Sequence, residues 1–441
     1  MIKNLKTLLC MVMLMFAVGV NAQVTTSSIS GIVVDEKGEP LTGATVEAKH
    51  NPSGTLYGAV ANLDGRFTIQ GMRTGGPYTL KVSFIGYRTK VVNDITLQLG
   101  ETYNVNVDML QGENMLDDVV VTAVKTKFAG EKTGAATNIS SAQISAIPSV
   151  NRSISDIVRL SPYAGSGMSF AGGDGRSTNF TVDGANFNNN FGLSDKLPGG
   201  GTPISVEALE EMQVVIAPYD LRQTNFVGGG VNAVTKSGTN TFKGSAYTYQ
   251  YTENFRGNKV AGEDLGERTK DRKHVYGATI GGPIIKDKLF FFGNFEYQKI
   301  PTTATEWKAS ADGKGDAGSY VSRTTLSDLE KVSKHVAEKY GYNTGSWTSF
   351  PADEKNIKFL ARVDWNITRD HKLAVRYNYT KNSYWNAPNG NSTDAGYRNK
   401  AYNRMSQMSM AFANSMYSMD NVVHSFSGDL NSRFGSNMSN Q

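Results

Sequence analysis

The chain has 441 residues, a formal net charge of +5, one cysteine, 46 glycines and 40 phenylalanines and tyrosines in equal number. So small a charge gives no support to a nucleic-acid partner, and a single cysteine excludes a fold held by disulfides. Outside residues 7–20, no apolar run approaches the ~18 residues that predict a membrane-spanning helix. Glycine, aromatic residues and few prolines favour β-structure with many turns.

Residues 1–22 predict a signal peptide. Lys3 and Lys6 precede the apolar segment at 7–20, which is shorter than the ~20 residues that span a bilayer, and Ala22 supplies the small residue of a cleavage site. An uncleaved transmembrane anchor is the alternative. Cleavage would remove Cys10, so the exported chain would have no thiol for catalysis.

Residues 27–110 predict a β-sandwich. A turn at 35–38 separates two strands, a hairpin is expected through Asp64 and Gly65, and residues 78–92 alternate between apolar and polar. The segments GIVVDEKGEPLTGATV, ANLDGRFTI and LKVSFIGY resemble the carboxypeptidase regulatory-like domain, although Ala61-Asn62 replaces the Thr-Asp of that family. The resemblance implies a transthyretin-like or starch-binding-like sandwich, a carbohydrate-binding-like fold, without peptidase activity.

Residues 116–123, LDDVVVTA, form a short run of strand-favouring residues. Polar, turn-rich segments at 111–114 and 125–138 flank the run. No partner strand is expected within hairpin reach. The run is either the last strand of the preceding sandwich or an extended segment that pairs with another protein.

Residues 125–238 predict a mixed α/β domain. A short helix is expected at 152–162, with Ser153 as N-cap and Pro162 ending it. VEALEEMQVV predicts a helical turn that leads into a strand. Together with FTVDG and GGGVNAVTKSGTN, this segment resembles the plug domain of TonB-dependent outer-membrane transporters. The Oar-like branch of that family places a carboxypeptidase-like domain ahead of the plug.

Residues 241–441 predict long antiparallel strands. Residues 356–367 and 372–380 alternate strictly, and further hairpins are predicted at 274–299 and at 408–434, the latter turning near Met419 and Asp420. Short turns at one end and long connections at the other are typical of an outer-membrane barrel. A soluble β-sandwich would alternate in the same way strand by strand. The long connections are expected at 253–272, 300–355 and 382–403.

In the barrel interpretation, Phe359 and Val363 would face lipid and Lys358 and Arg362 the lumen. Strand-end aromatics such as Tyr247 would lie at the membrane interfaces. About seven strands are predicted, whereas plugged transporters use about 22, and an open sheet edge is not tolerated in lipid. We therefore expect the N-terminal part of a longer protein. The predicted fold is mostly β: a sandwich, a plug, and the first strands of an incomplete transmembrane antiparallel barrel.

No catalytic residues, metal site or cofactor are predicted. The five histidines are scattered through the chain, and the glycine-rich run at 172–175 lacks the Lys-Ser/Thr pair of a phosphate-binding loop. Asp174, Asp183 and Asp195 lie among glycines and asparagines. They could ligate calcium or stabilise turns with their own backbone.

The resemblance also implies a function and a partner. It places a TonB box in LDDVVVTA, which would add as a strand to periplasmic TonB, itself energised through ExbB and ExbD. The predicted box comprises Asp118, Val119, Val120, Val121, Thr122 and Ala123. A predicted plug loop would either face the unknown extracellular ligand or only form turns. Its residues are Asp183, Asn186, Asn188, Asn189 and Asn190.

Two functions remain open at this point. The first is active import of a peptide, glycan or metal chelate across the outer membrane of a Gram-negative bacterium. The second is ligand binding or adhesion at the cell surface without transport. Dependence of uptake on the proton gradient would separate them.

Overall fold

The computed structural model describes most of the chain after the predicted signal peptide. The described residues are 24–112, 119–122, 135–147, 149, 152–188, 197–198, 201–217, 223, 225–255, 257–264, 272–302, 307–347, 352–386, 406–435 and 438–440. Within them, strands form three main sheet systems that follow one another along the sequence. No helix among these residues is both long enough and apolar enough to cross a bilayer.

The first system is a sandwich, referred to below as the N-terminal domain. Its strands are β1 (Ser27–Val34), β2 (Thr45–His50), β3 (Thr55–Val60), β4 (Arg66–Met72), β5 (Gly75–Ser83), β6 (Lys90–Leu97), β7 (Thr102–Asn104), β8 (Val107–Asp108) and β9 (Val119–Thr122). One sheet has the order β4-β1-β7, with β8 also on β1, and the other has the order β3-β2-β5-β6-β9. Alternate residues of both sheets, such as Ile29, Val46 and Leu80, are fully buried between them.

The predicted turn at Asp64 and Gly65 exists, but it does not make a hairpin. Gly65 has a positive φ of 68°, and the Asn62 side chain accepts hydrogen bonds from the backbone N–H groups of Asp64 (3.0 Å) and Arg66 (2.8 Å). The strands on either side pair elsewhere, β3 with β2 and β4 with β1. The turn therefore carries the chain from one sheet of the sandwich to the other.

The second system is the plug. Its elements are β10 (Ala135–Ser140), α1 (Ser141–Ala146), α2 (Ile154–Val158), β11 (Asn179–Val182), β12 (Ala185–Asn186), β13 (Leu209–Ala217) and β14 (Gly230–Thr235), in the sheet order β10-β13-β14-β11-β12. The predicted short helix is confirmed as α2, with the Ser153 hydroxyl accepting from the backbone N–H of Asp156. The predicted helical turn before β13 is a 3-10 turn, Val206–Ala208.

The third system is one seven-stranded antiparallel sheet, referred to below as the barrel sheet. Its strands, in sheet order, are β15 (Lys243–Tyr251), β18 (Lys273–Ile285), β19 (Leu289–Ile300), β22 (Glu354–Asn366), β23 (His371–Asn386), β24 (Tyr417–Phe434) and β25 (Met438–Asn440). The loops between them carry β16 (Lys259–Val260), β17 (Glu263–Asp264), β20 (Lys308–Ser310), β21 (Val321–Thr325) and α3 (Leu326–Tyr340). Among the described residues seven strands pair in this sheet, as many as predicted, although the seventh is β25 and not the second half of the hairpin expected at 408–434.

Two details of the third region differ from the sequence prediction. The expected hairpin at 408–434 is a single strand, β24, because Met419 and Asp420 continue the pairing with Tyr384 and Ser383 of β23. The expected long connection at 300–355 contains α3, which begins at the N-cap Thr325 and ends at Gly341, where φ is 64°. The turn propensity around Asp420 is thus overridden by its cross-strand partners.

The barrel sheet has apolar side chains outside and polar side chains inside. On β22, Phe359 and Val363 are exposed, whereas Lys358 and Arg362 are buried. The inner face packs against the plug, since Phe292 and Leu360 belong to the same core cluster as the plug residues. A polar inner wall filled by a plug and an apolar outer wall are the reverse of a soluble protein and fit a membrane-embedded barrel wall.

Candidate functional site

The predicted TonB box lies partly within the described residues, as β9. This strand pairs in parallel with β6 of the N-terminal domain, Val119 lying opposite Lys90 and Thr122 opposite Asn93. The expectation that the run has no partner strand in its own chain is therefore wrong. Asp118 and Ala123, the ends of the predicted box, lie outside the described residues. The assignment of all six residues to a TonB box, including Val119, Val120, Val121 and Thr122, stays a prediction.

The pairing of β9 with β6 is a small one at the end of a sheet. Within the described residues it joins four residues of β9 to β6, and parallel pairing is slightly less stable per residue than antiparallel pairing. In the described part of the chain, β9 is the terminal strand, with β6 as its neighbour. The arrangement is strand addition within one chain, the same interaction by which extended peptides bind sheet edges.

Beyond the end of β6, Leu99 joins the N-terminal domain to the plug. It is fully buried, and its backbone N–H donates a hydrogen bond of 3.0 Å to the Glu211 carboxylate. Its carbonyl accepts from the amide nitrogens of Gln213 (2.6 Å) and Asn138 (3.1 Å). We call these four residues the Leu99 clamp. Since Gln213 and Asn138 are paired in register, the clamp grips two plug strands, β13 and β10, at one place.

Sequence reasoning did not find the Leu99 clamp. Glu211 and Gln213 are two positions apart on β13 and so project from one face of that strand. Both are buried in a strand whose other residues are mainly apolar. Buried polar side chains need hydrogen-bond partners. Polar residues at alternate positions of an otherwise apolar strand were therefore the available signal, but they did not reveal the partner.

Asp183, predicted in the plug loop, is at the centre of a buried charge cluster. It is 1% exposed, and its carboxylate accepts hydrogen bonds from the Thr235 backbone N–H (3.0 Å) and hydroxyl (2.7 Å). Arg362 and Arg376 of the barrel sheet lie 3.7 and 3.5 Å from it. Arg362 also forms a two-pronged ion pair with Asp364, at 2.9 Å for each contact. Asp183 thus fastens the plug to the barrel wall.

The rest of the predicted plug loop is only partly described. Asn186 accepts a hydrogen bond from the backbone N–H of Asn188 (2.7 Å), and the Asn188 side chain bridges Asn179 (2.8 Å) and the backbone N–H of Phe180 (2.6 Å). These contacts hold the loop against β11. Asn189 and Asn190 lie outside the described residues. That this loop faces a ligand stays a prediction.

A second polar network joins the plug to the barrel wall at Glu296. The Glu296 carboxylate accepts from the hydroxyls of Ser205 (2.8 Å) and Tyr247 (3.0 Å) and from the Lys358 ammonium (2.8 Å). Lys358 and Glu296 are both buried. Tyr247, expected at the membrane interface, therefore faces the plug, as its hydroxyl finds a buried acceptor there.

The N-terminal domain also contacts the rim of the barrel sheet. Arg73 lies 3.4 Å from Asp364 and donates to the Ser237 hydroxyl at 3.1 Å. The Lys372 ammonium lies 4.4 Å from the centre of the Tyr57 ring, a cation–π contact. The domain is therefore held to both the plug and the barrel sheet.

His50 lies near this contact, in the N-terminal domain. Its ring is buried, and its Nδ1 lies 2.7 Å from the Ser53 hydroxyl. Burial, with a smaller effect from the nearby Arg73 charge, lowers the pKa of His50 from 6.5 to about 3. The imidazole is therefore neutral in the folded domain at neutral pH.

The described residues offer no cluster of three metal-ligating side chains from His, Cys, Asp and Glu. Asp174, considered above as a calcium ligand or a turn residue, accepts a hydrogen bond from the backbone N–H of Arg176 (2.9 Å), as in an Asx turn. Asp195 lies outside the described residues. The polar clusters that the structure does show join domains to each other.

Comparisons with known proteins agree with this arrangement. Residues 28–110 match the carboxypeptidase regulatory-like domain, and residues 234–441 match an outer membrane beta barrel domain. The chain is 26% identical over 382 residues to the TonB-dependent transporter Oar of Myxococcus xanthus, covering 81% of this chain and 34% of that protein. The chain thus carries a carboxypeptidase regulatory-like domain ahead of an outer membrane beta barrel domain.

Two further comparisons involve shorter or weaker matches. The chain is 27% identical over 150 residues to the TonB-dependent receptor P3 of Formosa agariphila, covering 34% of this chain and 14% of that protein. The outer membrane transporter YddB from Escherichia coli superposes with a TM-score of 0.43 and 12% identity, covering 68% and 37% of the two chains. The chain thus spans only part of the length of each of these proteins.

Proposed function

We propose that this receptor takes part in the active import of a large nutrient, such as a peptide, glycan or metal chelate, across the outer membrane. TonB, energised through ExbB and ExbD in the inner membrane, would supply the energy by pulling on the segment at 116–123. The outer membrane maintains no proton gradient of its own, so a physical connection is required. A physical pull transmitted to the plug would open a path for the nutrient.

The observation that carries this proposal is the plug sheet seated against a polar inner wall. Glu296, Arg362 and Arg376 are buried on the plug side of the barrel sheet, while Phe359 and Phe426 are exposed on its outer side. A lumen that is closed by a fastened plug needs an energy source to open. A surface adhesin would need no such closure.

The connection between β9 and the plug supports the same function. β9 ends at Thr122 and the first plug strand, β10, begins at Ala135, so a pull on β9 reaches the plug through a short stretch of chain. The Oar and P3 relatives are TonB-dependent by name. Because β9 directly precedes the plug in the chain, it is well placed to transmit a pull to the plug.

Signal-peptide cleavage after Ala22 is part of the proposal, because the receptor must cross the inner membrane to reach the outer membrane. Residues 1–23 lie outside the described residues. N-terminal sequencing of the protein purified from outer membranes should give Gln23 as the first residue. Recovery of Met1 would instead support the uncleaved anchor.

Uptake experiments test the transport function. In the native host, the full-length gene is deleted and restored as wild type or as Val120→Pro, and growth is followed on peptides, glycans or ferric chelates as sole source. Proline removes a main-chain donor from the strand that TonB would pair with. We expect the wild type, but not Val120→Pro, to restore growth on one nutrient class, and a protonophore to abolish short-term uptake of that nutrient.

Lys127→Pro, outside the predicted box, is the matched control and should restore growth. Surface binding of the nutrient should be equal in all variants. Binding without any protonophore-sensitive uptake would favour the alternative, a surface ligand-binding or adhesion protein. Equal growth with Val120→Pro and wild type would overturn the assignment of the box.

A further inference from the structure

The backbone edge of β6 at Lys90–Asn93 is occupied by the segment that the proposed function assigns to TonB. We propose that this edge is the resting-state binding site of β9, and that TonB must displace β9 from it before the receptor can be energised. The proposal rests on the proposed function. In this proposal, the N-terminal domain binds β9, the segment on which TonB would pull, until TonB displaces it.

The geometry of the pair makes displacement feasible. Four residues in parallel register join β9 to β6, with Val120 opposite Val91 and Val121 opposite Val92. By comparison, β6 pairs along its other edge with the longer strand β5, and β5 in turn pairs with six residues of β2. Among the pairings that the structure describes in this sheet, that of β9 with β6 is therefore the shortest. A competing strand that offers an equal or longer ladder would shift the equilibrium towards release.

The path of force gives a reason for release. While β9 remains on β6, a pull on β9 is shared with β6, and β6 is connected through Leu99 to plug strands β13 and β10. Part of the pull would then load the Leu99 clamp and the N-terminal domain. After release, the whole pull would pass along the chain to Ala135, the start of β10. Displacement thus directs the force to the plug.

The Leu99 clamp also supplies a route by which the plug could influence the β9 site. Glu211 and Gln213 hold both backbone polar groups of Leu99, two residues beyond the end of β6 at Leu97. A shift of β13 would therefore move the end of β6 relative to β9, whose own connection runs to β10. The pairing of β9 is in this way sensitive to the position of plug strands.

A reversible disulfide between the two strands tests the proposal. The variant Val91→Cys/Val120→Cys places cysteines at paired positions, in a chain whose own Cys10 lies in the predicted signal peptide. The full-length receptor is purified in detergent, and binding of the purified periplasmic domain of the host's TonB is measured before and after reduction. We expect the disulfide to form at rest, TonB binding to fall at least tenfold in the oxidised form, and reduction to restore it.

The control variant Lys49→Cys/Leu56→Cys links β2 to β3 in the same sheet, at paired positions away from β6. Its oxidised form should bind TonB as the wild type does, which separates locking of β9 from general stiffening of the domain. Each single-cysteine variant should be insensitive to oxidation.

Two results would overturn the proposal while leaving the proposed function intact. One is full TonB binding by the oxidised Val91→Cys/Val120→Cys variant, which would show that TonB binds β9 without displacing it from β6. The other is absence of the disulfide at rest together with normal TonB binding, which would show that β9 is not stored on β6. Failure of the wild type itself to bind TonB would instead reject the proposed function and, with it, the competition.

Discussion

The backbone N–H of Leu99 donates a 3.0 Å hydrogen bond to the carboxylate of Glu211, a contact between residues 112 positions apart in the chain. The two residues belong to the N-terminal domain and to the plug. Both groups are buried, so water does not readily replace either partner. The connection between the two domains therefore includes a specific polar contact as well as the linking chain.

Replacing Glu211 tests this contact. Glu211→Ala leaves the buried N–H of Leu99 without its carboxylate acceptor, which should cost about 1–3 kcal/mol of local stability. Hydrogen exchange at the Leu99 amide should become faster by about tenfold or more. Glu39→Ala, at an exposed position in the β1–β2 turn, should leave that rate unchanged. Equal Leu99 exchange in the Glu211 variant and the wild type would contradict the clamp.

The Asp183 cluster predicts a large effect from a small substitution. Asp183→Asn removes the charge that faces Arg362 and Arg376, which should lower the free energy of unfolding by about 3–5 kcal/mol because two cations lose a buried partner. Asparagine tolerates the positive φ of 49° at this position, so backbone strain does not contribute. Thermal unfolding of the detergent-solubilised protein measures the effect.

The same substitution at Asp174 is the matched control. Asp174 pairs with Arg176 in an exposed plug loop, where solvent screening leaves an ion pair with little net stabilisation. Asp174→Asn should therefore shift the unfolding temperature little. Similar shifts for the two variants would argue against a special role of the buried cluster in fastening the plug.

His50 predicts a pH dependence for the N-terminal domain. Its pKa is about 3 in the folded state and 6.5 in the reference state, so between these pH values the unfolded chain binds more protons. Stability should therefore fall as the pH drops from about 6.5 towards 3, by up to about 1.4 kcal/mol per pH unit from this one group. Well above pH 6.5, where the unfolded imidazole is also neutral, the group should contribute no pH dependence.

Denaturant unfolding at several pH values can isolate this contribution. His50→Gln should flatten the slope of stability against pH between 6.5 and 4 relative to the wild type. His335→Gln, on the exposed surface of α3, should retain the wild-type slope. If His50→Gln also retained the full slope, other groups would account for the pH dependence.

If the outer face of the barrel sheet contacts lipid, the cost of placing a charge on it should depend on how deep in the membrane the substituted residue lies. Phe359, near the middle of β22, is exposed, so Phe359→Lys would place a charge in lipid at a cost of roughly 2–4 kcal/mol. The receptor variant should accumulate poorly in fractionated outer membranes. Lys355 of the wild type lies on the same face near the end of the strand, where a charge is tolerated. Ile357 lies between positions 355 and 359, so the loss of assembly in Ile357→Lys should be intermediate. Equal assembly of all variants would contradict the lipid-facing assignment.

The barrel sheet was largely predictable because the alternation of apolar and polar residues within a single strand shows which side chains lie on each face of the sheet. Strict alternation in 356–367 predicted which side chains are buried, including Leu360 among polar neighbours. The turn signal at Met419 and Asp420 misled because pairing with β23 continues through both residues. A local preference of two residues is outweighed by a cross-strand ladder, and that ladder is not visible in the local sequence.

Relations between distant segments were not predictable in the same way. The parallel pair of β6 and β9 is separated by β7 and β8, which join the other sheet, so no hairpin signal connects them. Asp183 looked like a turn residue among asparagines, and only the fold brings Arg362 and Arg376 to it. The sequence pattern predicts faces and turns, whereas charge clusters and domain contacts depend on the complete topology.

The position of β9 also decides where the N-terminal domain ends as a unit for expression. The family match stops at residue 110, but β6 has its neighbour at Val119–Thr122. A recombinant domain cut at residue 110 would present β6 as a bare edge strand, open to self-association. A domain extended through Thr122 would carry its own edge cover, and the difference in solubility between the two would measure how well β9 protects that edge.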